Sequence, residues 1–578
     1  MSSLGNFVWT IADQLRGPYK PHQYGGVILP FTILRRLDCI LEPTRDQVHE
    51  LAGKYEGGAL DIQVKRKTGL AFYNTSRYDF ARLLEDPEGL RANLIDYLTG
   101  FSSQIDVFER FKFEAEIATL DEKNRLYLIV SKFAEVDLHP DKVPNAEMGD
   151  LFEHLIRKFA EASNETAGEH YTPRDAIRLM VDLLFADDSE ALLEPGTVRT
   201  VYDPTAGTGG MLSVAEERLL ERNSQARLRL YGQEHNDESY AICKSDMIAK
   251  GQDAANIRLG DTLADDQFWD RTFDFCLSNP PYGVDWKASE EAVKKEALTP
   301  GSRFSHGLPA IGDGQMLFLC HLAHKMRPAH EGGGRAAIVL NGSPLFHGAA
   351  DSGPSRIRQW LLEEDLVEAI IALPTNMFFN TGIATYVWIL DNTKRPERQG
   401  KIQLIDATSF WTKLRRNLGD KGREVDAGAR DRILKLYDAF DDADPDYSKV
   451  FTAADFAYWT ITVERPLLDE AGEPVTDKKG QPRPDPRKRG SENIPFTFGC
   501  NGGGNSGRVA TIDAYFQSEV LPHVPDAWID AKKIRVGYEI PFTRHFYKYV
   551  PPRPLAEIDA DLEKQVAKIL KLLREVEA

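Results

Sequence analysis

The chain has 578 residues, 42% of them hydrophobic and 28% charged, which fits a soluble globular protein of about two to four domains rather than one ordinary core. No apolar run reaches the ~18 residues of a membrane span, and the N-terminus has neither a basic n-region nor a long apolar h-region, so no membrane segment is expected and the location read is cytoplasmic. The formal net charge of −18 speaks against a chain that grips a polyanion such as duplex DNA unaided.

Residues 1–165 read as a helical leader. Phe7, Ile11 and Leu15, then Val27, Ile28, Phe31, Leu34 and Leu37, recur at helical spacing, with Gly17-Pro18 and Gly25-Gly26 as breaks. Leu126, Ile129 and Phe133, and later Leu151, Leu155 and Phe159, continue the pattern, and most of these residues read as plain core. The next stretch, Gly168-Glu169-His170-Tyr171-Thr172-Pro173-Arg174-Asp175, runs into an apolar helix, with Thr172 as its N-cap, Pro173 in the first turn and Asp175 near the positive helix end. It is an ordinary cap unless it covers a cationic ligand. His170 reads as a packed or surface histidine.

From residue 199 the pattern becomes β/α. Strands are expected at 200–203, 228–233, 257–260, 273–278, 336–340, 367–373 and 385–390, with helices between most of them, notably 213–222, 238–250, 316–326 and 357–363. That alternation predicts an open, mostly parallel sheet covered on both faces. Lys401 to Phe410 adds a further strand candidate, and the catalytic domain is expected over 166–410. An extension follows over 411–550. In it Lys413-Leu414-Arg415-Arg416 is a small basic cluster, usually a solvated face though one that could touch phosphate, and 465–508 is read as a long flexible loop rich in Pro, Gly and, at Arg487-Lys488-Arg489, basic residues. In 551–578, Leu555, Ile558, Leu562, Val566, Ile569 and Leu573 fall at three- and four-residue steps, as in a coiled-coil seam suited to docking on a partner. Cys39, Cys243, Cys276, Cys320 and Cys500 lack ligand or disulfide spacing and read as reduced core residues, with no metal site.

Two stretches carry chemistry. The first expected strand runs into Asp203-Pro204-Thr205-Ala206-Gly207-Thr208-Gly209-Gly210, where glycines let backbone amides approach a ligand. Glu234, ending the second strand, can accept both hydroxyls of a ribose, and Asp261, ending the third, is within reach of an adenine amino group. No GxxxxGK[ST] sequence is present, which speaks against an ATPase. The second stretch is Asn279-Pro280-Pro281-Tyr282, at the end of an apolar strand. Here the Asn279 amide oxygen and the Pro280 carbonyl, on a backbone stiffened by two prolines, can accept both hydrogens of an exocyclic amine while Tyr282 covers the ring. Two acceptors favour the pyramidal, lone-pair-localised nitrogen that arises as the amine attacks an electrophile.

In this order, from Gly168 to Pro173 through the glycine turn, Glu234 and Asp261 to Asn279-Pro280-Pro281-Tyr282, the residues resemble the amino-methylating DNA methyltransferases. With the leader and the terminal helix, nearly the whole chain resembles the modification (M) subunit of type I restriction-modification systems, the phage-defence assemblies. The resemblance implies an α/β class I S-adenosylmethionine-dependent methyltransferase fold with a Rossmann-like sheet, an N-terminal all-α domain and a C-terminal helical tail. It implies site-specific adenine-N6 methylation of DNA (EC 2.1.1.72). By position, Glu169, Tyr171, Thr172, Asp203, Thr205, Gly207, Thr208, Gly209, Gly210, Glu234 and Asp261 would bind S-adenosylmethionine. Asn279, Pro280, Pro281 and Tyr282 would bind the target base, and a ring of Met377-Phe378-Phe379, taken as Phe379, would flank it. The implied partners are double-stranded DNA, a specificity (S) subunit that reads the site and a second M subunit, with room for a restriction (R) subunit. The rival readings are methylation of RNA adenine or of protein glutamine, a nicotinamide-dependent oxidoreductase favoured by the glycine turn alone, and a scaffold with a decayed site. Cytosine N4 fits less well, because enzymes of that kind commonly have Ser at the first motif position.

Overall fold

The structure, a computed structural model, describes residues 10–17, 19–20, 23–144, 147–148, 172–186, 192, 194, 196–249, 252–379, 381–499, 508–549, 551 and 554–577. In the leader, helix α1 (Tyr24–Leu41) is buried along almost its whole length. Helix α2 (Leu90–Thr99) belongs to the same core, as do α3 (Phe113–Glu122) and α4 (Leu126–Ala134), where Phe31 meets Phe113 edge-on at 4.8 Å and stacks on Phe133 at 5.4 Å. The break expected at Gly25-Gly26 is instead the first turn of α1; burying that helix outweighs the cost of about 1 kcal/mol per glycine. The helical pattern expected at 151–159 lies outside the described residues.

The sheet region opens with α5 (Arg174–Leu184), then alternates through β1 (Val198–Asp203), α6 (Gly210–Arg222), β2 (Arg227–Glu234), α7 (Asp237–Ala249), β3 (Ile257–Leu259) and β4 (Phe275–Ser278). It continues with α8 (Gln315–Lys325), β5 (Arg335–Asn341), α9 (Gly353–Glu363), β6 (Val367–Ala372), β7 (Thr385–Asp391) and β8 (Lys401–Asp406). A hairpin of β9 (Thr412–Leu418) and β10 (Lys421–Glu424) follows, then α10 (Ala427–Ala439) and β11 (Ser448–Thr452). Nine strands form one sheet in the order β11-β8-β6-β7-β5-β4-β1-β2-β3. All seven expected strands and the eighth candidate belong to it. The departures from a parallel sheet are β7, antiparallel to both β5 and β6, and β11, antiparallel to β8. No helix separates β6 from β7, and a direct return can only pair antiparallel, since a parallel neighbour needs a crossover. The C-terminal ends of β1 to β6 and β8 therefore share one edge. The leader packs against the sheet domain through α7: Ala241, Ile242 and Ile248 join the leader's core, and Lys244 Nζ reaches Asp106 at 2.7 Å.

Beyond the sheet, β12 (Ala457–Glu464) pairs with β13 (Gly490–Pro495), β14 (Trp528–Ile529) and β15 (Arg535–Tyr538) over a small core of Trp459, Ile461, Ile494, Ile512 and Phe516. The stretch 465–508 is thus not a loop throughout. Besides β13 it contains two turns of one design, in which Asp469 Oδ1 accepts from the amides of Ala471 and Glu473 and Asp477 Oδ1 from those of Lys479 and Gln481, with Gly472 and Gly480 at φ of 86° and 76°. Short aspartates bonding their own backbone, and glycines at positive φ, let a polar sequence order locally without an apolar core. Arg489, one of the basic residues there, is held by Glu464 at 2.8 Å.

Residues Pro541–Ala578 form a separate unit containing helix α11 (Leu555–Glu577), on which Leu555, Leu562, Val566 and Ile569 are exposed. Among the described residues no helix is long and apolar enough to cross a membrane. Cys39, Cys243, Cys276 and Cys320 are buried and form no disulfide; Cys500 lies outside the described residues.

Candidate active site

At the shared edge of the sheet the loops after β1, β2, β3 and β4 surround a cavity of about 280 Å³. Thr172, Asp203, Thr205, Gly207, Thr208, Gly210, Glu234, Asp261, Asn279 and Pro281 all line it, bringing together residues separated by more than a hundred positions. Gly209 stands just behind that wall at φ 85°, where a Cβ would meet Cys243 Sγ at 2.9 Å, so any other residue there is strained and presses on the Cys243 side chain. Glu169 and Tyr171 lie outside the described residues.

The acidic residues are set before any ligand arrives. Glu234 Oε2 accepts from the Gly207 amide at 2.8 Å, and Oε1 accepts from the amides of His235 and Asn236 at 2.9 and 2.8 Å. Burial alone would raise its pKa, but the His235 side chain and the Asn236 and Gly207 amides outweigh it and hold the carboxyl below the usual glutamate range. Asp203 has the opposite outcome. It is buried, accepts from the Thr205 amide at 2.9 Å and hydroxyl at 3.2 Å, and burial drives its pKa up to about 7. A half-ionised carboxylate with so few donors is suited to a cationic ligand group. Asp261 accepts from the Leu263 amide at 2.9 Å through Oδ1 and from the Ser289 hydroxyl through Oδ2.

The Asn279 turn adjoins this cavity. Thr172 does not cap α5, whose N-cap is Pro173; its hydroxyl oxygen accepts from Asn279 Nδ2 at 2.8 Å instead. Proline cannot donate its missing N–H but fits the helix start, which frees the threonine for the site. That bond fixes the amide so that its oxygen faces away from Thr172, and there Tyr282 donates its hydroxyl to Oδ1 at 2.5 Å. Among the described residues no hydrogen bond ends on the Pro280 carbonyl. Tyr282 is half-buried, and its ring meets Phe378 edge-on at 6.2 Å. Phe378 is fully packed in the core, whereas Phe379 is half-exposed in the same loop.

Sequence reasoning missed the contribution of the long excursion between Gly283 and Gly314. Val284, Trp286 and Ser289 line the cavity, and Trp286 is pinned by bonds to Ala310 at 3.0 Å and Ile311 at 3.1 Å. No spacing signal marks them. Ser278 was missed as well; its hydroxyl lies 2.8 Å from that of Thr205, tying the glycine turn to the strand that carries Asn279.

Comparison with known proteins gives the family. The N-6 DNA methylase family model matches residues 144–462, more than half of the chain, and the HsdM N-terminal domain model matches residues 4–133. The chain is similar to the type I restriction enzyme MjaIX methylase subunit of Methanocaldococcus jannaschii, 25% identical across 75% of this chain and 76% of that one. It is also 30% identical to the MjaVII methylase subunit of the same organism, across 61% of this chain and 57% of the relative. The fold matches that of the type I restriction-modification system methyltransferase subunit from Streptococcus thermophilus with a TM-score of 0.59 and 24% identity, covering 78% of this chain and 95% of that one. With the HsdM N-terminal model over the helical leader and the N-6 DNA methylase model over the sheet that carries the glycine turn and the Asn279 turn, the chain belongs to the N-6 DNA methylase family, as a modification subunit of the type I restriction-modification kind.

Proposed function

We propose that the cavity is the S-adenosylmethionine site and that the chain methylates N6 of an adenine turned out of duplex DNA into the space beside Asn279. The observation that carries this is the shared wall: Thr172 lines the cavity and at the same time orients the Asn279 amide. The donor set suits the cofactor, with a fixed carboxylate at Glu234 for the ribose hydroxyls, Asp261 for the adenine amine, and the buried Asp203, with Thr205 and the Gly207 to Gly210 turn, for the cationic methionine part. Glu169 and Tyr171 belong to the same assignment by sequence. Bound there, the cofactor supplies an electrophilic methyl group on a sulfonium.

The protein's own residues do the rest by positioning. N6 is unreachable within the base stack, and extrusion costs a few kcal/mol that stacking on Tyr282 offsets, with Phe379 as the ring left to flank the other face. To receive the base, Tyr282 must release Asn279 Oδ1. The amide oxygen and the Pro280 carbonyl then take the two N6 hydrogens, an arrangement that stabilises the pyramidal attacking nitrogen more than the planar ground state. Both acceptors are neutral, so they orient the amine without removing its proton, which departs to water once the nitrogen has become cationic.

The net charge of −18 fits a subunit that works in the cytoplasm within a complex, beside a specificity subunit that reads the site and a second copy of this chain, with a restriction subunit as a further partner. Incubation of the purified complex with tritiated methyl donor and duplex DNA, RNA or protein tests the reading. Label in DNA, mapped to N6-methyladenine by single-molecule sequencing, is expected. Label confined to RNA or protein would refute the DNA assignment, and binding of NAD in place of S-adenosylmethionine would refute the cofactor.

A further inference from the structure

Lys413, Arg415 and Arg416 stand out on a chain with an excess of 18 negative charges, because all three are exposed and none has an ion-pair or hydrogen-bond partner among the described residues. Two other cations of the same hairpin are used structurally. Lys421 Nζ is buried and shared by Asp175 and the carbonyls of Met377 and Arg423, each at 2.9 Å, and Arg423 bonds Thr375 Oγ1 at 2.8 Å and lies 4.1 Å over the Trp411 ring. We propose that the β9–β10 hairpin is an arm that grips the phosphate backbone of duplex DNA next to the extruded adenine. This rests on the reading of the site given above.

Position supports it first. The hairpin leaves the C-terminal end of β8, the edge that carries the cofactor cavity and Asn279. Its turn is fastened to the loop of Phe378 and Phe379, with the Asp420 amide donating to the Phe379 carbonyl at 2.9 Å and the Gly422 amide to that of Asn376 at 3.1 Å. Lys421 fastens the other side to Asp175, three residues from Thr172, which orients Asn279. The arm's root is thus built into the base site.

Shape and composition support it next. Arg423 pairs with Lys413 and Lys421 with Leu418, so Leu414 to Asn417 face the single Gly422 and the ribbon bulges there, carrying Arg415 and Arg416 outward. A two-stranded ribbon is marginal by itself in water, and three unpaired cations on its exposed positions add nothing to its stability. Guanidinium groups match phosphate oxygens two at a time, and the duplex presents a charge every ~1.7 Å along its axis.

The test uses the full chain assembled with its natural partner subunits and the variant K413Q/R415Q/R416Q. Duplex affinity, followed by fluorescence anisotropy over a range of salt, should give a slope of log affinity against log salt shallower by about 0.9 for each phosphate no longer neutralised, about 2 to 3 in all. The drop in affinity should be equal for target and unrelated duplexes, since phosphates carry no sequence, and cofactor binding by calorimetry should be unchanged. R415K/R416K should keep most of the slope, and R415Q alone should lower it by about 0.9, which reads the effect even if the triple variant folds poorly. An unchanged slope in R415Q and in the triple variant would overturn the proposal. So would normal duplex binding with failed subunit assembly, which would assign the arm to an acidic protein face. Failure of the wild-type complex to methylate DNA would instead sink the reading of the site.

Discussion

The proposed cofactor side and the proposed base side of this site are built differently. On the cofactor side, Glu234 already holds three backbone amides, the glycine turn is backed by Cys243, and the cavity stands open. On the base side the Asn279 side chain is engaged at both ends, with Thr172 at its amine and Tyr282 at its oxygen, and the Tyr282 ring leans on Phe378, while the Pro280 carbonyl has no hydrogen-bond partner among the described residues. A small ligand that arrives by diffusion is best met by a preformed pocket, which avoids the cost of ordering side chains on binding. A base that must be pulled from a duplex arrives rarely, and an acceptor left open meanwhile would be filled by water. The difference predicts that damage on the two sides separates cleanly into binding and chemistry.

The sharpest way to break that separation is Asn279→Ala. It removes one of the two proposed acceptors for N6 and trims a single neutral side chain from the cavity wall, leaving Glu234, Asp261, Asp203 and the glycine turn in place, so kcat should fall about 10²- to 10³-fold with a far smaller change in cofactor affinity. Near-normal methyl transfer, or loss of cofactor binding, would contradict the comparison. On the other side, Gly207→Asp places a side chain at φ 53° and a second carboxylate against Glu234. An unpaired charge buried there costs about 3 kcal/mol or more, so cofactor affinity by calorimetry should fall at least about 100-fold. Unchanged binding would remove the glycine turn from the site.

The proposed cofactor side shows in the sequence as residues that meet in one cavity, because its signals are local. A turn with glycines at positive φ, and acids at the ends of consecutive strands, occur at fixed places in a β/α alternation, and Asp203, Glu234 and Asp261 all reach one cavity. The base side was legible only as a short motif. That Thr172 serves Asn279 rather than its own helix depends on bringing together positions 107 apart in the chain, and local capping statistics point the other way. The sheet followed the same rule. Its parallel strands show as apolar runs between helices, while the reversal at β7 shows only as a missing helix, and the small sheet around Trp459 and Ile494 pairs strands 33 residues apart across a polar stretch that resembles a linker. Trp286 and Ser289 come from an excursion with no periodicity, and nothing but the folded chain assigns them.

A smaller effect, on the cofactor side, follows from Asp203. Burial raises its pKa from 3.8 to about 7. The sign follows from linkage: an acid whose folded pKa lies above its unfolded value contributes stability that is full below about 4 and is lost as the pH rises through about 7. The ligand-free fold is therefore weakened at neutral pH, and a cationic ligand recovers the loss by pairing with the ionised form. S-adenosylmethionine affinity should rise by up to about tenfold from about pH 6 to about pH 8, and Asp203→Asn should flatten the profile. A flat profile in the wild-type protein would show that the sulfonium and ammonium groups do not face this carboxyl.

The smallest expected effect is also the finest probe of the contrast. Tyr282→Phe keeps the ring proposed to stack on the base and removes the hydroxyl that occupies the Asn279 oxygen. If that bond is a resting contact to be broken before the base can bind, its removal should lower KM for target DNA by about 2- to 10-fold, the equivalent of one net hydrogen bond, with kcat little changed. Single-turnover methylation over a range of duplex concentration separates the two quantities. A large fall in kcat would mean the hydroxyl takes part in the reaction itself, and an unchanged KM would mean the base displaces it at no cost, so that the base side is as open in solution as the cofactor side.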